Sequence, residues 1–123
     1  MHKDWPGLAE GMTPALRELR AGAPEVMSGF SAIARAALEG KELEAKTKEL
    51  IALGIAVAIR CDACIAFHAE SAVKRGATRS EIMETMGMAI YMGAGPSVMY
   101  AAQAIEAFDQ FAAKNEAGRQ NDR

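Results

Sequence analysis

Cys61, Cys64 and His68 have the residue types and the spacing for thiol chemistry. On a helix they fall at i, i+3 and i+7, along one stripe, with Cys61 at its N-terminal edge. The thiolate is the reactive form of cysteine, and an unperturbed thiol with a pKa near 8.5 is only about 3% ionised at pH 7. A helix N-terminus contributes roughly 0.3–1 kcal/mol toward ionisation, less than the ~1.36 kcal/mol that one pKa unit requires. His68, one turn beyond Cys64, can take the proton and leave a thiolate beside an imidazolium. Cys64 is therefore the better-placed nucleophile and Cys61 the resolving thiol, because a CxxC pair closes into a disulfide with little movement.

Glu49 lies twelve residues before Cys61, where a charged segment meets an apolar one. If the chain reverses near Arg60, the level of Glu49 on the next helix is near residue 71, and His68 is about 4.5 Å from that level at 1.5 Å per residue. A carboxylate there orients the imidazole and favours its protonated form, completing a Glu, His, Cys relay. Plainer readings stand beside this one. The thiols can be small core residues, His68 a satisfied core histidine, and Glu49 a solvated carboxylate at the end of a charged run. Zinc on Cys61, Cys64 and His68 is a further reading, although a closed structural site needs a fourth ligand and no second CxxC or HxxxH is present. His2, in the N-terminal arm, is given no role.

The elements that must hold these residues are helices. The chain has 26 Ala against 16 β-branched residues and 6% aromatics, which favours helix and starves a sheet of its packing residues. An all-α bundle of about six helices is expected. Residues 1–13 read as an arm anchored by Trp5. Thr13 before Pro14 resembles an N-cap opening a short helix that Gly22 ends. Pro24 opens a helix to about Glu39, on which Val26, Phe30, Ile33, Ala37 and Leu38 follow helical spacing. Glu42 and Lys46, and Glu44 and Lys48, are set as solvated i,i+4 pairs. The run 50–59 is apolar on every side and reads as a fully buried core helix. After a break at Arg60 to Asp62, a helix runs to Gly76, a natural C-terminal glycine. Thr78 and Glu81 form a capping box for the next helix, which Gly93 or Gly95 ends, and Pro96 begins the last, through Phe111. Residues 114–123 read as frayed.

One domain of 123 residues, with a core at about 24–111, leaves no room for separate cofactor and substrate modules. No cofactor is expected. A net charge of −2 with scattered Lys and Arg offers no basic stripe for nucleic acid. The 17 uncharged residues from Met86 to Ala102 are long enough to raise a membrane span, but the Gly93 to Pro96 break would leave unpaired backbone groups in lipid. The Met-rich faces there suit a core or a subunit interface. The N-terminus lacks the uninterrupted apolar stretch of a secretory signal, so a cytoplasmic, reducing location is expected, where a structural disulfide is less expected than a reactive or metal-binding pair. Thin Ala-rich helices in so small a domain favour burial against other copies.

These residues together resemble the carboxymuconolactone decarboxylase family, in its alkylhydroperoxidase D-like branch. The resemblance spans about residues 24–111. It rests on Glu49, eleven residues, Cys61-Asp62-Ala63-Cys64, three residues, His68, then Gly76-Ala77-Thr78 and Glu81-Ile82. It implies an all-helical fold, trimers or hexamers, and a proton relay of Glu49 and His68 serving a redox pair in which Cys64 attacks a hydroperoxide. It also implies reduction by a dithiol protein, lipoylated or thioredoxin-like. Some peroxidase members carry a second histidine just before the second cysteine, where this chain has Ala63, which implies slower turnover or another reductant. The decarboxylases of the family lack the CxxC pair. Two alternatives remain at this stage: a lyase acting on a carboxylated lactone with His68 as acid or base, and a redox-sensing or zinc-holding oligomer.

Overall fold

A computed structural model describes residues 2–121 and contains, among them, six helical elements and no strand. They are α1 (Trp5–Gly11), α2 (Thr13–Gly22), α3 (Pro24–Leu38), α4 (Ala45–Ala58), α5 (Asp62–Lys74) and α6 (Arg79–Asn121). The expected all-α architecture is present. Helices α4, α5 and α6 pack on one another, α1 lies against α5 and α6, and α2 and α3 reach the body only through α1 and α4.

The core is built from alanines on closely packed helices and a few large side chains. Trp5, Leu53, Val57, Ile65 and Ile82 are fully buried, and Ala66, Ala69, Ala72, Ala104 and Ala107 let the helix axes approach. Trp5 thus anchors α1, as its position suggested, and Asp4 caps that helix by accepting from the Gly7 amide at 3.1 Å.

Two of the helix ends follow directly from local chemistry. The Thr78 and Glu81 capping box forms reciprocally, at 2.8 and 3.1 Å. Gly76, at φ +82°, ends α5 in a left-handed turn, with Gly76 N–H donating to Val73 O and Ala77 N–H to Ala72 O. Thr13, by contrast, is already the first residue of α2; Met12 occupies the cap position and no side chain caps it. The Glu42/Lys46 and Glu44/Lys48 pairs are not made either, because α4 begins only at Ala45. Lys46 instead pairs with Glu81 at 3.1 Å and Lys48 donates to Glu39 O at 2.6 Å.

Two larger expectations are corrected. The 50–59 run is not buried all round: Leu53, Ala56 and Val57 face α5 and α6, whereas Ile51, Ile55 and Ile59 are exposed along the opposite side of α4. Apolarity on every side therefore marks two different surfaces, one packed internally and one left open by the single chain. The segment after residue 113 is also not frayed, since α6 stays helical to Asn121; residues 122 and 123 lie outside the described residues.

The Gly93 to Pro96 break is present inside α6. Ala94 takes φ 57°, ψ −145°, a region side chains rarely occupy, and the two arms of α6 fold back so that Arg79 on the first meets Asp109 on the second at 3.0 and 3.2 Å. Ser97, buried just beyond the kink, packs against Gly93, where a Cβ would sit 1.9 Å from Ser97 Oγ and 2.9 Å from its Cβ. Gly93→Ala is accordingly expected to lower stability by about 1–3 kcal/mol in denaturant titration, the range typical of overpacking. An unchanged midpoint would show that the kink relaxes freely. No helix among the described residues is long and apolar enough to cross a membrane.

Candidate functional site

The turn between α4 and α5 positions the cysteines. Cys61 N–H donates to Ala56 O at 3.0 Å and Arg60 N–H to Val57 O at 3.2 Å, with Arg60 at φ 60°. This pairing closes the C-terminus of α4 and turns the chain back at once. Arg60 holds a left-handed conformation without being glycine, a local cost at the threshold of the site. Cys61 is then the N-cap of α5, and its Sγ accepts from the Cys64 amide at 3.2 Å. One residue thus ends one helix and starts the next.

Cys61 and Cys64 are joined by a disulfide, with S–S 2.08 Å and Cα–Cα 5.2 Å. Both are half-buried at the N-terminal end of α5, where the positive end of the helix dipole favours negative charge on sulfur once the bond is reduced. His68 follows one turn after Cys64 on the same helix. Its Nδ1 lies 2.8 Å from Glu49 Oε2.

Glu49 is not a solvated carboxylate. It is 5% exposed and belongs to the inward stripe of α4 with Leu53, Ala56 and Val57, at i, i+4, i+7 and i+8. A carboxylate in that stripe loses most of its hydration, so a hydrogen-bonded partner is needed. The antiparallel return of α5 supplies the imidazole at that level. With the carboxylate ionised, the contact requires the Nδ1 proton, which fixes the ring and leaves Nε2 as the nitrogen able to exchange a proton with a substrate or thiol. The four expected residues form two contacting pairs, Cys61 with Cys64 at the start of α5 and Glu49, in the first half of α4, with His68 at the end of the second turn of α5.

The N-terminal segment completes the surroundings and was not foreseen. Lys3 Nζ donates to Asp62 Oδ2, between the two cysteines, and at 2.7 Å to Gln103 Oε1 on α6. Glu106 on α6 accepts from the backbone N–H of His2 at 2.6 Å, from that of Lys3 at 2.8 Å and from Trp5 Nε1 at 2.9 Å. Gln110 accepts from Trp5 N–H and donates to Lys3 O. The amide donors of His2 and Lys3, with the indole N–H of Trp5, hold the Glu106 carboxyl well down, at about 2. The only sequence hints were Trp5 as an anchor and an acidic residue between the cysteines; nothing local in residues 2–5 points to partners a hundred positions away.

The carboxymuconolactone decarboxylase family model matches residues 24–107. Over 86 residues, 70% of the chain, it is 42% identical to an uncharacterized protein of Cupriavidus necator, of which the match covers 76%. The fold is similar to that of a carboxymuconolactone decarboxylase family protein from Legionella pneumophila, with TM-score 0.85 and 50% identity over 88% of this chain and 96% of that one. A family protein of Thermotoga maritima, for which a part in an antioxidative response has been suggested, superposes with TM-score 0.76 and 26% identity, covering 88% and 95% of the two chains.

Proposed function

The chain belongs to the carboxymuconolactone decarboxylase family, and from that premise we propose that it is a thiol-dependent peroxidase of the alkylhydroperoxidase D-like branch. The observation that carries this reading is the Cys61–Cys64 pair at bonding distance on a helix N-terminus, one turn from an imidazole held by a buried carboxylate. The suggested antioxidative role of the Thermotoga maritima relative points the same way.

In the reduced protein His68, held by Glu49, takes the Cys64 proton. The thiolate attacks the terminal oxygen of a hydroperoxide, the O–O bond breaks, and the departing alkoxide takes the proton back to leave as an alcohol, or as water from hydrogen peroxide. Cys64 is now a sulfenic acid. The Cys61 thiolate attacks that sulfur, hydroxide leaves and is protonated to water, and the disulfide closes. An external dithiol protein, lipoylated or thioredoxin-like, returns two electrons and two protons. The reading is tested by following hydroperoxide loss with dihydrolipoamide or reduced thioredoxin as the electron source. Consumption that stops when both thiols are alkylated supports it; lactone turnover that survives alkylation would replace it with a lyase.

The functional unit is proposed to be a homo-oligomer, a trimer or hexamer, working in the cytoplasm. A compact monomer of 13.1 kDa exposes about 6,400 Å², whereas this chain exposes 7863 Å². The excess of about 1,500 Å² exceeds the ~800 Å² per partner of a stable interface. Apolar faces contribute to it. Helices α2 and α3 bury no residue, and Val26, Phe30 and Ile33 stand exposed on α3. A groove of about 480 Å³ between α4 and the first arm of α6 is lined by Leu50, Ile51, Ile55, Met88 and Met92. The proposed occupant is the α3 face of a second copy, apolar like the groove and unpaired within the chain. Phe30→Glu is expected to shift the mass measured by light scattering to that of a monomer at micromolar concentration; an unaltered mass would contradict this interface.

A further inference from the structure

The thiol mechanism leaves one feature of the site unused. Asp62 opens α5 between the two cysteines. A carboxylate in the first turn favours the helix but opposes a second negative charge at the same end, which is where the Cys64 thiolate has to form. The sequence thus places an inhibitory charge inside its own redox motif.

Lys3 answers that charge. Its ammonium bonds Asp62 and Gln103 and stands 5.3 Å from the Trp5 ring centroid, and its backbone is held by Glu106 and Gln110. Trp5, fully buried, fixes the segment against α6. A lysine on a free tail would lose much of its effect to solvent and side-chain entropy; here four hydrogen bonds to α5 and α6 fix the approach.

We propose that Lys3 is a positioning residue for the thiol chemistry: it neutralises Asp62 and thereby sets how readily Cys64 gives up its proton. The proposal rests on the peroxidase reading only in taking Cys64 as the attacking sulfur. The ionisable groups carried around this end of α5 are Asp62 and His68 on α5 itself, Glu49 on α4, Arg60 in the turn, Glu106 on α6, and His2, Lys3 and Asp4 in the N-terminal segment. Glu106, held at about 2, keeps its charge throughout the range in which a thiol titrates, so the clamp does not loosen there.

The test is the pH dependence of Cys64 alkylation by iodoacetamide in the reduced Cys61→Ser protein, in which serine preserves the cap and no disulfide can form. Lys3→Met should raise the midpoint by about half to one pH unit, slowing alkylation about threefold to tenfold below it. Lys3→Arg should keep the parent midpoint. Asp62→Asn should lower the midpoint, a gain in reactivity that misfolding does not produce, and the Lys3→Met/Asp62→Asn double variant should return close to the parent. A midpoint unmoved by Lys3→Met, or unlowered by Asp62→Asn, would overturn the proposal, as would a loss that Asp62→Asn does not reverse. Because no peroxide is present, a protein that follows this pattern yet leaves hydroperoxide untouched would sink the peroxidase reading alone.

Discussion

Replacing Cys64 with serine is expected to reduce hydroperoxide consumption by at least about a thousandfold, because the thiol that remains, Cys61, has no imidazole one turn further along the helix to take its proton. The substitution is nearly isosteric at a half-buried position whose backbone bonds to Cys61 Sγ, so helicity and thermal unfolding should barely change. Cys61→Ser should differ in kind. That protein keeps the attacking sulfur but cannot close the ring, so it should consume about one equivalent of hydroperoxide and then hold a sulfenic acid that dimedone traps. Full turnover in Cys64→Ser would move the attack away from Cys64.

Glu49→Gln is expected to slow hydroperoxide turnover by about a hundredfold, the lower end of what a positioned general acid–base group contributes. Glutamine fills the same space in the inward stripe of α4 and can still bond His68. It cannot oppose the charge of an imidazolium, and its amide can present a donor as readily as an acceptor to Nδ1. The readout that separates this role from packing is Cys64 alkylation at neutral pH, which should fall in parallel with turnover. A peroxidase loss with unchanged alkylation would mean that Glu49 acts on another step or only supports the fold.

The redox stripe was legible because its logic is local: Cys61, Cys64 and His68 lie within eight consecutive residues, and helix geometry alone puts them on one side. Glu49 needed one more assumption, a chain reversal near Arg60, and the left-handed Arg60 turn supplies it. The helix ends that rest on neighbouring side chains, Thr78 with Glu81 and Gly76, also read directly. What did not read was the side of a helix that lacks a partner within the chain. Ile51, Ile55 and Ile59 carry the same hydropathy as Leu53 and Val57, and sequence cannot separate an internal core from an unpaired face. The clamp of Lys3, Asp62 and Glu106 escaped for the opposite reason. Its members are separated by up to 103 positions and carry no shared pattern, so only the packing of α1 against α6 brings them together.

The most direct test of the central claim is the intact mass and free-thiol content of the reduced, metal-free protein after one equivalent of hydroperoxide. Rapid loss of both thiols with a mass decrease of about 2 Da is the predicted result, since closing Cys61 to Cys64 removes two hydrogens. Two thiols that remain titratable, with the mass unchanged, would contradict the account.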